Sequence, residues 1–342
     1  MTIRARLNDV AREAGVSTAT VDRVIDKRAG VRGPTAARVE AAIRKLGYRP
    51  DPFACRLGRG RAFRFCFLLP IGANPFMTNL GTQAKHVANW LDTQRASVDT
   101  LHVDVFDAET LAGVREARAG EYDGVAVVAL DHPRVRGAID DLVEHGVAVV
   151  TLVSDAPSSR RLRYVGIDNV AAGRTAGSLV GRFVGDGEGA VGVIAGSLGL
   201  RDHAERYFGF QQIMTEEFPH LKVLPVRENR DDDETGRRAA AGILAENKKL
   251  AALYSIGSGN AGLAAALEAS GRAGDVVFVG HELTADSRRL LMRNIMDAVI
   301  NQNPGHEVRS AARILLAHCS GEPIIADQNH ILIDIFVREN VP

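Results

Sequence analysis

The segment Ser17-Thr18-Ala19-Thr20-Val21-Asp22-Arg23-Val24-Ile25 holds side chains able to read a nucleic acid. Val21, Val24 and Ile25 recur at helical spacing. If they face inward, Thr18, Ala19, Asp22 and Arg23 share the opposite, solvent-facing side. Short side chains at the start of such a face permit close approach to base edges. The Thr18 and Thr20 hydroxyls can bond phosphate or base, and Arg23 can bond guanine or phosphate. Ser17 is a good N-cap for this helix. A generic three-helix bundle produces the same pattern, so the pattern alone leaves that alternative open.

Other runs that suggest chemistry do not hold up. The glycines of Gly185-Asp186-Gly187-Glu188-Gly189 precede a strand instead of joining one to a following helix, so they read as a turn and not a nucleotide fingerprint. The acids Asp231-Asp232-Asp233-Glu234 suit a helix N-terminus through its dipole and lack a matching ligand cluster. There is no phosphate loop, zinc-protease pattern or nucleophile elbow. Cys55, Cys66 and Cys319 lack C-x-x-C spacing and read as reduced thiols. No catalytic residue, metal ligand or cofactor is expected, and the chain is not read as an enzyme.

The elements that must position the reading face are short. Asn8 to Ala14 forms a first helix with Val10, Ala11 and Ala14 on one face, ended by Gly15. Val16 anchors the turn into the second helix, and a third fits Pro34 to Leu46, with Val39, Ile43 and Leu46 buried and Gly47 as its stop. Charge supports a polyanion partner for this head: residues 1–61 carry 14 Lys and Arg against 6 Asp and Glu, although the whole chain of 342 residues is formally neutral. Composition that is 46% hydrophobic and 25% charged excludes a disordered chain. With no membrane-length apolar span and no signal-peptide core, a cytoplasmic protein without membrane association is expected.

The run Leu7-Asn8-Asp9-Val10-Ala11-Arg12-Glu13-Ala14-Gly15-Val16-Ser17-Thr18-Ala19-Thr20-Val21, followed by Arg23-Val24 and Leu46-Gly47-Tyr48-Arg49-Pro50, resembles the headpiece of the lac-repressor (LacI/GalR) family. The resemblance implies a helix-turn-helix with Thr18, Ala19 and Arg23 at base-reading positions, and Ser17 and Thr20 also on DNA. Arg6 stands where the family usually has a Thr or Ser cap, and Asp22 replaces a common serine, placing negative charge near phosphates. Residues 51–61 read as a linker with a marginal helix capped by Asp51 and opened by Pro52. In the family this segment forms a hinge helix on DNA and wedges a leucine into the minor groove, which implies DNA contacts from Ala54 and Leu57. A flexible basic tether is the alternative.

From Arg64 onward strand runs alternate with helical stretches, which signals α/β units and a mostly parallel sheet. Strands are expected at 65–69, 100–105, 124–130, 147–153, 164–167, 189–195, 223–227, 251–256, 275–280, 298–301 and 331–337. That is more than one compact doubly wound sheet usually holds, so two lobes are expected. The stretch resembles the periplasmic sugar-binding-protein fold, particularly its ribose-binding branch, through Asn74-Pro75-Phe76, Asp168-Asn169, Glu205-Arg206-x-x-Gly209-Phe210, Gly280-His281-Glu282 and Gln302-Asn303-Pro304. The implied fold is a sensor of two doubly wound Rossmann-like lobes, of periplasmic-binding-protein type I, behind an all-α headpiece. The implied domains are a headpiece at 1–50, a hinge at 51–61 and a sensor at 62–342, with a first lobe at about 62–167 and 303–328 and a second at about 168–302 and 329–342.

Position by position, the resemblance puts Asn74, Phe76, Asp131, Arg206, Glu282 and Gln302 in the cleft between lobes. Carboxylates and amides suit vicinal hydroxyls, Arg206 offers a planar fork, and Phe76 can lie on the apolar face of a sugar ring. Each has a plainer alternative: Asn74 capping the helix begun by Pro75, Phe76 in the core, Asp131 starting a helix, and Arg206 pairing on the surface with Asp202. Glu282 departs from the family's usual aspartate, and His281 beside it is also atypical. The loop Gly257-Ser258-Gly259-Asn260 either adds polar contacts or supplies a helix cap. The expected protein is a ligand-responsive transcriptional regulator, a repressor whose partners are double-stranded operator DNA, a sugar-like effector and a second copy of itself. The alternative is a solute-binding receptor without a regulatory role.

Overall fold

The computed structural model describes residues 5–25, 30–48, 62–72, 74–112 and 120–342. By backbone contacts the chain divides into two units, Met1–Arg61 and Ala62–Pro342.

In the first unit, α1 (Leu7–Ala14), α2 (Thr18–Ile25) and α3 (Gly33–Leu46) surround a small core. Val10, Ala11, Ala14, Val21, Val39 and Ala42 are buried there, with Val16, Val24, Ile25 and Ile43 packed against them. Helix α1 ends at Gly15, whose φ of 65° is the left-handed conformation a side chain would resist. At the other end, Arg6 has no side-chain acceptor to offer. Asp9 compensates by accepting from the Arg6 N–H at 2.9 Å.

The second unit is built on two sheets. The first runs β2-β1-β3-β4-β5, all parallel, from β1 (Phe63–Pro70), β2 (Ala96–Val103), β3 (Gly124–Val127), β4 (Ala148–Leu152) and β5 (Arg163–Val165). Helices α4 (Pro75–Thr93) and α5 (Pro133–Glu144) connect its strands. β3 and β4 are buried along their whole length, as strands covered on both faces must be. After β5, α6 (Asn169–Val184) leads into the second lobe.

The second sheet runs β12-β11-β10-β9-β6-β7, with β8 also on β6. It comprises β6 (Gly189–Ala195), β7 (Leu221–Val223), β8 (Arg227–Glu228), β9 (Leu250–Ser255), β10 (Val277–His281), β11 (Ala298–Asn301) and β12 (Asp334–Phe336). Helices α7 (Arg201–Glu216), α8 (Asp233–Glu246), α9 (Asn260–Ala269) and α10 (Ala285–Met292) link them. The chain then returns, as α11 (Pro304–Ser320) packs on β1, β3, β4 and α4 of the first sheet. Among the described strands only β12, at the edge, is antiparallel.

Several expected strands change, the one expected at 124–130 ending already at Val127. The second begins at Ala96 and stops at Val103, because Asp104 turns the chain by accepting from the Phe106 N–H at 3.0 Å. The run 223–227 splits into β7 and β8 around Pro225, which has no N–H for the ladder. The run 331–337 shrinks to three residues.

Helices α6 and α7 cross with almost no separation. A Cβ on Gly173 would lie 1.9 Å from the Arg206 carbonyl oxygen, and one on Gly209 would lie 2.1 Å from that of Val170. Glycine is required at both places by close approach, and the crossing fixes the backbone that carries Arg206. Among the described residues no helix is long and apolar enough to cross a membrane.

Candidate functional site

Two surfaces carry the expected chemistry. On the headpiece, Val21 is fully buried beneath α2 while Ala19, Asp22 and Arg23 are exposed and Thr18 is half-buried. Ser17 caps the helix, its Oγ accepting from the Thr20 N–H at 3.2 Å and lying 2.9 Å from the Thr20 hydroxyl. The Thr20 hydroxyl is thus already engaged. Ala54 and Leu57, the expected hinge contacts, lie outside the described residues.

Between the two lobes lies a cavity of about 250 Å³. Asn74, Phe76, Arg206, Glu282 and Gln302 all line it, each from the loop or helix that follows a strand, where ligands collect in such folds. Asn74 does two jobs. Its Oδ1 caps α4 by accepting from the Phe76 and Met77 N–H groups at 3.0 and 3.3 Å, and its Nδ2 donates across the cleft to Asp231 Oδ2 at 3.1 Å. Phe76 is 6% exposed and belongs both to the core of the first lobe and to the cavity wall.

Arg206 is the largest fully buried side chain among the described residues, and no surface pair with Asp202 exists. Its Nε donates to Asn169 Oδ1 at 2.9 Å and its Nη1 to the Ile256 carbonyl at 3.0 Å. Nη2 lies 3.6 Å from Glu282 Oε1 and has no hydrogen-bond partner. Burial opposes the Arg206 charge, and Glu282 and Asp202 more than restore it. From Asn169 the network continues: its Nδ2 donates to the Tyr164 hydroxyl at 3.0 Å, which donates to the Val153 carbonyl at 2.9 Å. Arg206 is therefore wired through the lobe crossing into the first sheet.

Glu282 accepts from Gln302 Nε2 at 2.8 Å through Oε1, leaving Oε2 unpartnered. Burial raises its carboxyl to about 7, against the pull of Arg206 and Gln302. His281 Nε2 lies 2.9 Å from the Tyr254 hydroxyl, and burial followed by Arg206 drives this imidazole well below its usual range, so it is neutral. Asn260 Nδ2 donates to the His281 carbonyl at 3.1 Å, and the side chain lines the cavity; the N-cap of α9 is Gly259. Backbone strain is concentrated here. Val153, Arg230, Asp231 and Glu282 line the cavity with φ between 51° and 68°, conformations that a β-branched residue in particular adopts only when its surroundings impose it.

Asp131 departs from the expectation, since it is not on the cavity wall. Its carboxylate is taken by Arg136 Nε at 2.7 Å and by Arg201 Nη1 at 3.3 Å. Arg201 begins α7 and also holds Glu205 at 2.8 Å, so this cluster ties the lobes together at the rim. A second tie lies at Arg230, which reaches Asp104 Oδ2 at 3.4 Å and sits 5.0 Å over the Phe106 ring.

Several members of the site were not singled out by sequence. Asp202, 4% exposed with Oδ1 unpartnered, reads in the sequence as a surface partner of Arg206. Asp231 accepts from Ser258 N at 2.9 Å as well as from Asn74, although its acidic run reads as helix-dipole compensation. That reading does fit Asp232, which caps α8 by accepting from Thr235 N at 2.7 Å. Glu307, behind the cavity wall and not on it, is fully buried with both oxygens unpartnered, and burial followed by Glu282 pushes its carboxyl well up. Its position in the first turn of α11 offers no sign of this.

Comparison with known proteins gives two family matches: residues 6–51 match the bacterial regulatory proteins of the lacI family, and residues 65–323 match the periplasmic binding protein domain. Among characterised relatives, catabolite control protein A of Priestia megaterium is 24% identical over 247 residues, covering 72% of each chain. The ribose operon repressor of Escherichia coli is 42% identical over 76 residues, covering 22% of this chain and 23% of that one. In fold, the glucose-galactose binding protein from Geobacillus stearothermophilus superposes with a TM-score of 0.74 at 22% identity, over 82% of this chain and 99% of that one.

Proposed function

The chain belongs to the lacI family of bacterial regulatory proteins, and we propose that it is a repressor that binds a near-palindromic operator as a homodimer and changes its DNA affinity when a sugar or sugar-like molecule closes its two lobes. The observation that carries this reading is the cavity, where buried, unpartnered polar atoms from the second lobe meet an apolar wall from the first. Such atoms are costly to leave unpaired, and a polyhydroxylated ligand would satisfy them. Relatives named for ribose regulation and for glucose and galactose binding support the same ligand class. A transport receptor would need the cavity but not the headpiece.

In this reading residues 1–50 read DNA through Ser17, Thr18, Ala19, Thr20 and Arg23. Residues 51–61 form the hinge, with Ala54 and Leu57 at the minor groove, and residues 62–342 sense the ligand through Asn74, Phe76, Arg206, Glu282 and Gln302. The protein acts in the cytoplasm, where its operator is. Ligand shifts DNA affinity only by binding the open and closed states differently.

The test is a fluorescence-anisotropy titration of the full chain on operator DNA, with and without members of a sugar panel, at several salt concentrations. Affinity should fall steeply with salt, because the basic head releases counterions, and one panel member should shift it. Specific binding that ignores salt, or a panel that shifts neither DNA affinity nor melting temperature, would overturn the reading.

A further inference from the structure

The unpartnered side-chain atoms around the cavity are unequal in kind. Among the described residues lining it, Asp202 Oδ1, Glu282 Oε2, Asn260 Oδ1 and Gln302 Oε1 are acceptors without a donor, Arg206 Nη2 is a donor without an acceptor, and Ser154 Oγ and His281 Nδ1, each able to donate or accept, are also unpartnered, so acceptors are in excess. These side chains are all at least nine-tenths buried. Charge leans the same way. The carboxyl groups of Glu282 and Asp202 face one buried guanidinium, Arg206, which already donates to Asn169 and Ile256; the other guanidinium lining the cavity, Arg230, is exposed and paired with Asp104. Most other titratable groups around Glu282 add no positive charge. His281 is neutral, His203 lies 3.7 Å from Asp202, Tyr254 and Tyr164 are uncharged, and Glu307 is a further buried acid.

A neutral polyol answers this cavity incompletely. Each hydroxyl brings one donor but also an oxygen that itself needs a donor, and the walls offer few. An ammonium group brings three donors, needs none, and supplies the missing positive charge. Resting on the reading of this cavity as the effector site, we propose that the effector is a compact polyol bearing a primary ammonium group. The ammonium sits against Glu282 and Asp202, and the hydroxyls meet Asn260, Gln302 and the free N–H of Arg206.

The experiment titrates the full chain by calorimetry with 2-amino-2-deoxyhexoses of gluco, galacto and manno configuration. Each is set against its parent hexose and its N-acetyl derivative, which keeps the hydroxyls but loses the charge. At least one amine should bind tenfold or more tighter than both neutral counterparts. Its affinity should weaken about fivefold between pH 7 and pH 6, as Glu282 takes up the proton that the ammonium competes with. Glu282→Gln and Asp202→Asn, each checked for cooperative melting, should lose the preference for the amine. A parent hexose that binds as tightly as its amine, or a preference unchanged in whichever variants fold, overturns the ammonium inference and leaves the effector site standing. Silence from every compound overturns both.

Discussion

The two walls of the cavity differ in character although the lobes share one architecture. The first lobe contributes mainly apolar surface, with Ile71, Phe76, Met77, Val105, Val128 and Val153, whereas the second contributes Asp202, Arg206, Arg230, Asp231, Glu282 and Gln302. Among the cavity-lining side chains, the unpartnered charged atoms, on Asp202, Arg206 and Glu282, belong to the second, and the first adds only the Ser154 hydroxyl. In the proposed function, polar specificity therefore resides in one lobe, and the other supplies an apolar cover and the rim contacts through Asp131, Asp104 and Asn74. Selectivity and closure are separable, so changes in the second lobe should alter what is bound and changes at the rim should alter how readily the lobes shut.

The largest effect expected from breaking this division is at Arg206. Arg206→Ala leaves Asp202 and Glu282 buried without their cation, which ordinarily costs about 3–5 kcal/mol. Because Glu282 can take up a proton, a loss near about 3 kcal/mol in denaturant unfolding is expected, with ligand response abolished. A variant as stable as the wild type would show that the second-lobe charges are not coupled through Arg206. Next comes Gly173→Ala. Its Cβ would meet the Arg206 carbonyl at 1.9 Å, and overpacking of this kind costs about 1–3 kcal/mol. Loss of ligand affinity alongside the stability loss would confirm that the helix crossing positions Arg206; a melting temperature equal to wild type would dismiss the contact.

The pH dependence sharpens the comparison further. Glu282 has a folded pKa raised to about 7 from 4.5, so between these values the native state holds a proton that the unfolded chain has released. Its contribution is thus fully present below pH 4.5 and is lost as pH rises through 7, with a slope of at most about 1.4 kcal/mol per pH unit. Unfolding curves at pH 5, 6 and 7 should show this slope in the wild type and a shallower one in Glu282→Gln. Equal slopes would move the proton to another group, Glu307 being the nearest alternative. The smallest effect belongs to the rim. Asp131→Asn weakens a pair with the partly exposed Arg201, worth under about 1 kcal/mol. It should raise the ligand concentration for half-response only a few-fold and leave the order of ligand preference intact. A reordered preference in a calorimetric panel would show that Asp131 reads the ligand after all.

Much of this protein is written locally. The headpiece follows from helical periodicity, Gly15, Gly47 and the Ser17 cap, all of which act within a few residues, so the exposed face proposed to read DNA is legible from the chain alone. Strands such as 189–195 and 298–301 are equally plain because a doubly covered strand must be apolar throughout. The resemblance in residues 74–76, 205–210, 280–282 and 302–304 also located five of the cavity's side chains.

What could not be read is whatever depends on partners distant in sequence. Whether Asp131 or Asp202 lines the cavity is a tertiary outcome, with Arg136 and Arg201 occupying the first and the second buried at the start of α7. The raised acid at Glu282 and the buried Glu307 are likewise tertiary outcomes, because the same residues in an exposed turn would be ordinary carboxylates. The sequence determined the elements and most of the residue types at the cleft; only the folded structure decided which charges lost their water, and desolvation is a property of the whole surroundings and of no local pattern.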